Sequence, residues 1–186
     1  YWLDLIAGSG RRGVVIGGGY IGVEMAEALA ERGFDTTLAT RTRVMSKLDP
    51  EMSDRIEDGM RAAGVTVLTD TVIASAESSS GRIRSVTTVS GKTIEADVVV
   101  LALGVRPSTS LGAAAGLPIG VHGGYLPDDH QRLADGIWAA GDCCESVDRM
   151  TGERIFAPLG THANKQGRVC GFNLGGDETK RFAGVL

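Results

Sequence analysis

Cysteine is scarce: the 186 residues hold only Cys143, Cys144 and Cys170. An odd number with two adjacent is no disulfide framework, and no Cys-x-x-Cys spacing suggests zinc or a dithiol motif. The plain expectation is small buried hydrophobes in a reducing compartment. A basic excess is missing too, because 19 Lys and Arg stand against 23 Asp and Glu, for a net charge of −4, with three His. Without a basic patch to neutralise phosphates, nucleic acid is not an expected partner. Long apolar runs are absent: the longest, Val98-Val99-Val100-Leu101-Ala102-Leu103, falls far short of the roughly 18–20 residues of a membrane span. No basic-then-apolar leader opens the sequence, so the expectation is a cytoplasmic protein with no membrane partner. Aromatics make up 5% of residues, which leaves the core to Val, Ile, Leu and Ala.

What the sequence has in excess is glycine. Its 27 glycines are about twice the average usage of roughly 7%. They cluster instead of repeating, which excludes collagen-like and linker explanations and points to tight turns where backbone meets a ligand. The length suggests one to two domains and is ample for a core without metal or disulfide staples.

Gly13-Val14-Val15-Ile16-Gly17 reads as a short buried strand. Residues 21–32 carry Ile21, Met25, Ala28 and Leu29 at helical spacing, and Gly33 stops the helix. Thr36-Thr37-Leu38-Ala39 and Val65-Thr66-Val67-Leu68 read as two more strands, separated by a helix that Asp49-Pro50 opens and Gly64 closes. Three short segments joined by Ser80-Gly81 and Ser90-Gly91 then predict an antiparallel meander. Residues 97–103 return as a strand expected to be buried on both faces. The fold class is therefore α/β, with a Rossmann-like domain over 1–107. Residues 108–186 show one evident strand, Ile137-Trp138-Ala139-Ala140, and one helix over 160–174. That is too little to close a core alone, so they read as part of a larger domain.

Gly17-Gly18-Gly19-Tyr20-Ile21-Gly22 satisfies G-x-G-x-x-G between a strand and a helix, and that context makes a weak motif strong. Gly17 permits the tight turn, Gly19 the approach of a pyrophosphate, and Gly22 close packing of helix on strand. The helix N-terminus offers amides and partial positive charge to the phosphates. An NAD site usually carries an acid at the end of the second strand. Here Leu38-Ala39-Thr40-Arg41-Thr42-Arg43 has none before Asp49. Arg41 and Arg43 suit a 2′-phosphate, so NADPH is favoured over NADH; the bland alternative is two solvated loop charges. Gly141-Asp142 follows Ile137-Trp138-Ala139-Ala140, and an aspartate at the C-terminal edge of a parallel strand accepts hydrogen bonds from sugar hydroxyls.

Four segments together resemble the flavoprotein pyridine nucleotide-disulfide oxidoreductases. Ile16-Gly17-Gly18-Gly19-Tyr20-Ile21-Gly22-Val23-Glu24 resembles their nicotinamide-nucleotide motif, and Leu101-Ala102-Leu103-Gly104-Val105-Arg106-Pro107 their connector. Gly136-Ile137-Trp138-Ala139-Ala140-Gly141-Asp142-Cys143 resembles their second FAD motif. Pro158-Leu159-Gly160-Thr161-His162-Ala163-Asn164-Lys165-Gln166-Gly167-Arg168 is most similar to the coenzyme A disulfide reductase and NADH oxidase branch. The resemblance implies that Gly17, Gly19, Tyr20, Ile21 and Gly22 contact the nicotinamide dinucleotide, with Gly104 on the opposite wall. Glu24 then matches a glutamate that in relatives lies near nicotinamide and flavin and pairs with a lysine. Asp142, beside Gly141, implies a contact to the FAD ribityl chain. The helix opening at Thr161, His162 and Ala163 implies amides aimed at the flavin edge, and His162 a flavin neighbour with no catalytic partner in view.

The resemblance also implies a first FAD fingerprint, a redox cysteine and a dimerisation domain that this sequence does not contain, so it reads as a fragment whose parent is a homodimer. The expectation is a parent enzyme that passes hydride from NAD(P)H to FAD and on to a disulfide such as coenzyme A disulfide, or to dioxygen. The fragment alone is expected to bind NADP(H) weakly and FAD hardly at all. No catalytic residue or metal ligand is assigned within it. A dinucleotide-sensing module explains residues 17–22 equally well but leaves Gly141-Asp142 and residues 158–168 without work. A ferredoxin-type reductase is the other alternative.

Overall fold

The apolar positions of Arg12–Ile16 alternate between two different environments, and the first half of the fold is built on that alternation. The computed structural model of the chain describes residues 11–176 and 179–186, and it divides into two units, the first ending at Gly104 and the second starting at Val105.

In the first unit, strands β1 (Arg12–Ile16), β2 (Asp35–Ala39), β3 (Thr66–Leu68) and β7 (Val98–Leu101) form a parallel sheet in the order β3-β2-β1-β7. Helices α1 (Tyr20–Glu31) and α2 (Pro50–Ala62) make the crossovers. Helix α1 ends as its glycine requires: Gly33 adopts φ +79°, and Gly33 and Phe34 amides donate back to Ala30 and Leu29 carbonyls. Val15 and Leu38 point to the helical face, where they pack with Ala26, Leu29 and Met60. Val14 points to the opposite face, which β4 (Ile73–Ser79), β5 (Arg82–Thr88) and β6 (Thr93–Glu95) cover as an antiparallel meander, packing Val86 and Ala96 against it. Arg12 fastens the start of β1 to the entry of β7, donating from its backbone amide and its guanidinium to Asp97 at 2.9–3.0 Å and pairing with Glu95.

The expectation for β7 needs correcting. Its pairing is to β1 alone, so it is an edge of the sheet among the described residues. Val99 meets the meander cluster and Val100 the helical cluster, but Leu101 is 68% exposed and Leu103 71%. The strand is covered on both faces at its middle and projects bare at its C-terminal end.

The second unit contains more elements than the sequence announces. They are α3 (Ser110–Ala114), an antiparallel pair of β8 (Arg132–Ala134) and β9 (Ile137–Trp138), a second pair of β10 (Ser146–Val147) and β11 (Arg154–Ile155), and α4 (Gly160–Leu174). Elements of two to five residues are too short for periodicity to register. The partner of β9 is antiparallel, which corrects the reading of Asp142 as the end of a parallel strand. Both apolar clusters lie in the first unit. Buried polar side chains, Gln131, Glu145, Ser146, Gln166 and Asn173, knit the second. Among the described residues no helix is long and apolar enough to cross a membrane.

Candidate functional site

The carboxyl ends of β1 and β7 form the point where strand order reverses, since the chain runs from β1 outward to β3 and then returns to the other side of β1. Open α/β sheets bind ligands at such a switch point. Gly17 stands there at φ +114°, and a Cβ on it would lie 2.2 Å from the carbonyl oxygen of Ala102. Gly22, in the first turn of α1, would place a Cβ 1.8 Å from the Gly17 carbonyl oxygen. These two glycines let helix, turn and β7 close on one another. Gly19 differs: a Cβ there meets nothing within 4 Å. The space above it is open. Gly104, at φ +97°, likewise has open space where a side chain would stand.

Gly19 caps α1 without a side chain, and its carbonyl accepts the amide of Val23 at 3.0 Å. The amides of Tyr20, Ile21 and Gly22 lie in the first turn, ahead of any intrahelical acceptor, and have no partner among the described residues. Their N–H groups and the helix dipole, equivalent to about half a positive charge, face the space over Gly19. Tyr20 and Ile21 side chains are exposed beside it. Glu24 is exposed and forms no ion pair among the described residues.

Beside this turn lies the loop that leaves β2. Thr40 is buried, its amide held by the Leu68 carbonyl at 2.9 Å. A Cβ on Gly18 would come 2.8 Å from the Thr40 hydroxyl, so the unassigned middle position of the glycine motif is fixed by packing. The Met45 amide donates to the Gly18 carbonyl at 2.6 Å, with Met45 at φ +51°. Arg41 is exposed, with no hydrogen bond or ion pair among the described residues. Arg43 is committed elsewhere, pairing with Asp54 on α2. The two arginines are therefore not equivalent.

In the second unit, Gly141 takes φ +89° and its amide donates to the buried Gln166 Oε1 at 2.7 Å, while Gln166 Nε2 donates to Ser146 Oγ at 2.7 Å. Asp142 is exposed and makes no hydrogen bond among the described residues. Gln166 escaped assignment, yet one signal marks it: His162, Ala163, Gln166, Val169, Cys170 and Asn173 form the inward stripe of α4, and a polar side chain on such a stripe needs a partner. Glu145 was missed as well. It is buried, and its Oε1 accepts the amides of His122 at 2.7 Å and Gly124 at 3.3 Å.

The head of α4 corrects the expected donor set. His162 and Ala163 amides both donate to the Leu159 carbonyl, at 2.9 and 3.0 Å, and His162 Nδ1 lies 3.3 Å from the Ala157 carbonyl. The amides without partners among the described residues are those of Gly160 and Thr161, so the available donors sit at the first two helical positions, one residue earlier than expected. Among the described residues no group of three or more His, Cys, Asp or Glu could hold a metal ion.

Residues 4–165 match the family model described as pyridine nucleotide-disulphide oxidoreductase. The NAD(P)H coenzyme A polysulfide/persulfide reductase of Pyrococcus horikoshii is 36% identical over 176 residues, covering 93% of this chain and 39% of that protein. The crystal structure of an FAD-dependent pyridine nucleotide-disulphide oxidoreductase from Desulfovibrio vulgaris superposes with a TM-score of 0.90 at 33% identity, over 99% of this chain and 48% of that one. An engineered water-forming NADPH oxidase, a variant of LbNOX bound to NADPH, is 32% identical with a TM-score of 0.83, over 98% of this chain and 40% of that one. The changes that define that variant include an aspartate exchanged for alanine and an alanine for arginine. The chain thus spans about two fifths of the curated relative it matches.

Proposed function

Since the chain belongs to the pyridine nucleotide-disulphide oxidoreductase family, we propose that its first unit holds the nicotinamide dinucleotide and its second supplies part of an FAD site. The enzyme they serve passes reducing equivalents from NAD(P)H to a sulfur–sulfur bond or to dioxygen. One observation carries the reading: three amides without partners among the described residues at the head of α1, facing open space above Gly19 at the switch point of the sheet.

The residues present fit a dinucleotide. Gly17 and Gly22 leave no Cβ of their own at the points where the turn meets Ala102 and where α1 meets the Gly17 carbonyl. The Tyr20, Ile21 and Gly22 amides would hold a pyrophosphate over Gly19, where charged hydrogen bonds contribute about 1.5–3 kcal/mol each. Gly104 borders the ligand from the end of β7. Thr40 holds the adenosine-side loop in place, and Arg41, free of protein partners among the described residues, meets a 2′-phosphate. Arg43 adds less because Asp54 already neutralises it. NADPH is therefore the preferred nucleotide, in line with the acid-to-alanine and alanine-to-arginine changes of the NADPH-bound oxidase.

For the flavin, the exposed Asp142 carboxylate suits ribityl hydroxyls, with Gly141 locked beneath it by Gln166. The Gly160 and Thr161 amides suit an electron-rich ring edge, and His162 stands beside them as a neighbour. Glu24 sits on the exposed side of α1 as the carboxylate that tunes charge near the nicotinamide. When bound, NAD(P)H supplies a hydride and FAD accepts it and passes electrons on, a chemistry that belongs to the cofactors. The chain's own residues bind, orient and set charge around them.

Calorimetric titration with NADPH and NADH tests the nucleotide reading. Tighter NADPH binding by about tenfold, inverted by Arg41→Glu, is expected; equal affinities, or no change on Arg41→Glu, would refute the preference. Absence of binding by either nucleotide would refute the site itself.

A further inference from the structure

The inward side of α2 differs from that of an ordinary helix packed on a sheet. Its buried residues are Ser53, Glu57 and Met60, spaced as one stripe, and two of the three are polar. Packing alone is served by apolar side chains on such a stripe, and a carboxylate withdrawn from water carries a desolvation cost. Both polar side chains direct their hydrogen bonds to one residue of the loop after β2. The Val44 amide donates to Glu57 Oε1 at 3.1 Å, and Ser53 Oγ donates to the Val44 carbonyl. Val44 is itself buried, its side chain in the helical-face cluster. Arg61, one turn further along α2, donates to the other Glu57 oxygen at 3.2 Å.

The peptide that joins Val44 to Met45 is gripped at both edges, its carbonyl by Ser53 and its N–H by the Gly18 carbonyl at 2.6 Å. The start of the loop is fixed as well: the Thr40 amide donates to the Leu68 carbonyl and the Thr71 amide to the Thr40 carbonyl, both at 2.9 Å. Between these anchors lie only Arg41, Thr42 and Arg43, all exposed. So short a span, tied at both ends, has little freedom of its own, and the anchors decide where Arg41 stands. We propose that Ser53 and Glu57 are positioning residues for nucleotide choice: from the buried side of α2 they hold the 41–43 span where the Arg41 guanidinium meets the 2′-phosphate of NADPH. The inference rests on the nucleotide reading given above. Preference for the phosphorylated nucleotide then depends on two buried side chains of α2 as well as on the arginine.

Calorimetric titration of the chain with NADPH and with NADH gives the preference as a ratio of dissociation constants, read at a temperature where circular dichroism shows each variant folded. Glu57→Met keeps the bulk and removes the acceptor, while Ser53→Ala removes the donor. Each is expected to lower the ratio by about threefold or more, the scale of one lost hydrogen bond, chiefly through weaker NADPH binding. Glu57→Gln keeps the acceptor oxygen and should stay within about twofold of wild type, since it gives up only the pair with the half-exposed Arg61. A purely structural role would lower stability and leave the ratio where it was. With Arg41→Ala already in place, Glu57→Met should no longer move the ratio, because the clamp acts through Arg41. Ser53→Ala, which favours the helix, decides the matter if Glu57→Met does not fold. Equal affinities in the wild type overturn the nucleotide preference and this proposal together. A wild-type preference that is unchanged in either folded variant, a Glu57→Gln loss equal to that of Glu57→Met, or an effect of Glu57→Met that persists without Arg41 overturns the proposal alone.

Discussion

Gly19→Ala separates the part of the glycine turn that serves the ligand from the part that serves the fold. Gly19 has φ −84° and ψ −173°, extended backbone that alanine adopts freely, and the added methyl meets nothing within 4 Å. Replacing glycine where alanine fits stabilises by about 0.4–1 kcal/mol through the unfolded state. Against that, alanine is a poorer helix N-cap than glycine by roughly 0.5–1 kcal/mol. The two effects nearly cancel, so the melting temperature should stay within about 2 °C of wild type for a chain of this size. Affinity should behave differently. On the proposed placement the methyl would occupy the volume over which a diphosphate approaches the Tyr20, Ile21 and Gly22 amides, and displacement of the anion from one of them loses about 1.5–3 kcal/mol. That corresponds to roughly 10- to 150-fold weaker binding. Paired thermal melts and NADPH titrations on the same preparation make the measurement. A Gly19→Ala protein that melts normally and binds within twofold of wild type would refute the placement of the diphosphate.

Gly22→Ala should give the opposite pattern. Its Cβ would need to retreat about 1.5 Å from the Gly17 carbonyl to reach ordinary contact near 3.3 Å, so stability should fall by about 1–3 kcal/mol together with affinity, as urea unfolding and titration would reveal. Arg43→Ala should weaken NADPH binding less than Arg41→Ala does, because Asp54 already holds Arg43; equal losses in parallel titrations would count against the distinction. Gln166→Leu should cost about 1–3 kcal/mol in urea unfolding, since it strands the Gly141 amide and the Ser146 hydroxyl. Hydrogen bonding from Arg12, foremost among the causes, holds the Asp97 carboxyl below its ordinary value of 3.8. A carboxyl depressed in the folded state adds stability that is full above the unfolded value and is lost as pH falls through the folded one. The acid limb of the stability profile below about pH 4 should therefore be shallower in Asp97→Asn, as acid titration followed by circular dichroism would test.

Much of the first unit was legible because its signals are local and mutually consistent. Val14 and Val15 alternate, Leu29 and Met25 keep helical phase, and Gly33 and Gly64 stop their helices where the structure stops them. The exposure of Leu101 and Leu103 was not legible, because an apolar run gives hydrophobicity but not the number of neighbours a strand will have. The antiparallel partner of Trp138 was hidden for a related reason: two- and three-residue strands carry no period, and pairing direction is a matter of topology. In the glycine turn, the tight turn at Gly17 and the close packing at Gly22 could be read from the motif, yet the difference between Arg41 and Arg43 could not. It depends on Asp54, eleven positions beyond Arg43 and brought back by α2. The Leu159 carbonyl likewise takes the His162 and Ala163 amides through backbone geometry that no side chain announces.

The contacts under Gly18 bear on any attempt to redesign nucleotide choice. Thr40 packs beneath that glycine and the Met45 amide clasps its carbonyl, so the loop proposed to select the nucleotide and the turn proposed to cradle its diphosphate are in direct contact. Swapping residues 41–43 as a cassette from another enzyme would disturb the cradle along with the selector. Changes on the two sides should combine non-additively in double-mutant cycles, and a successful graft would carry residues 18, 40 and 45 with it.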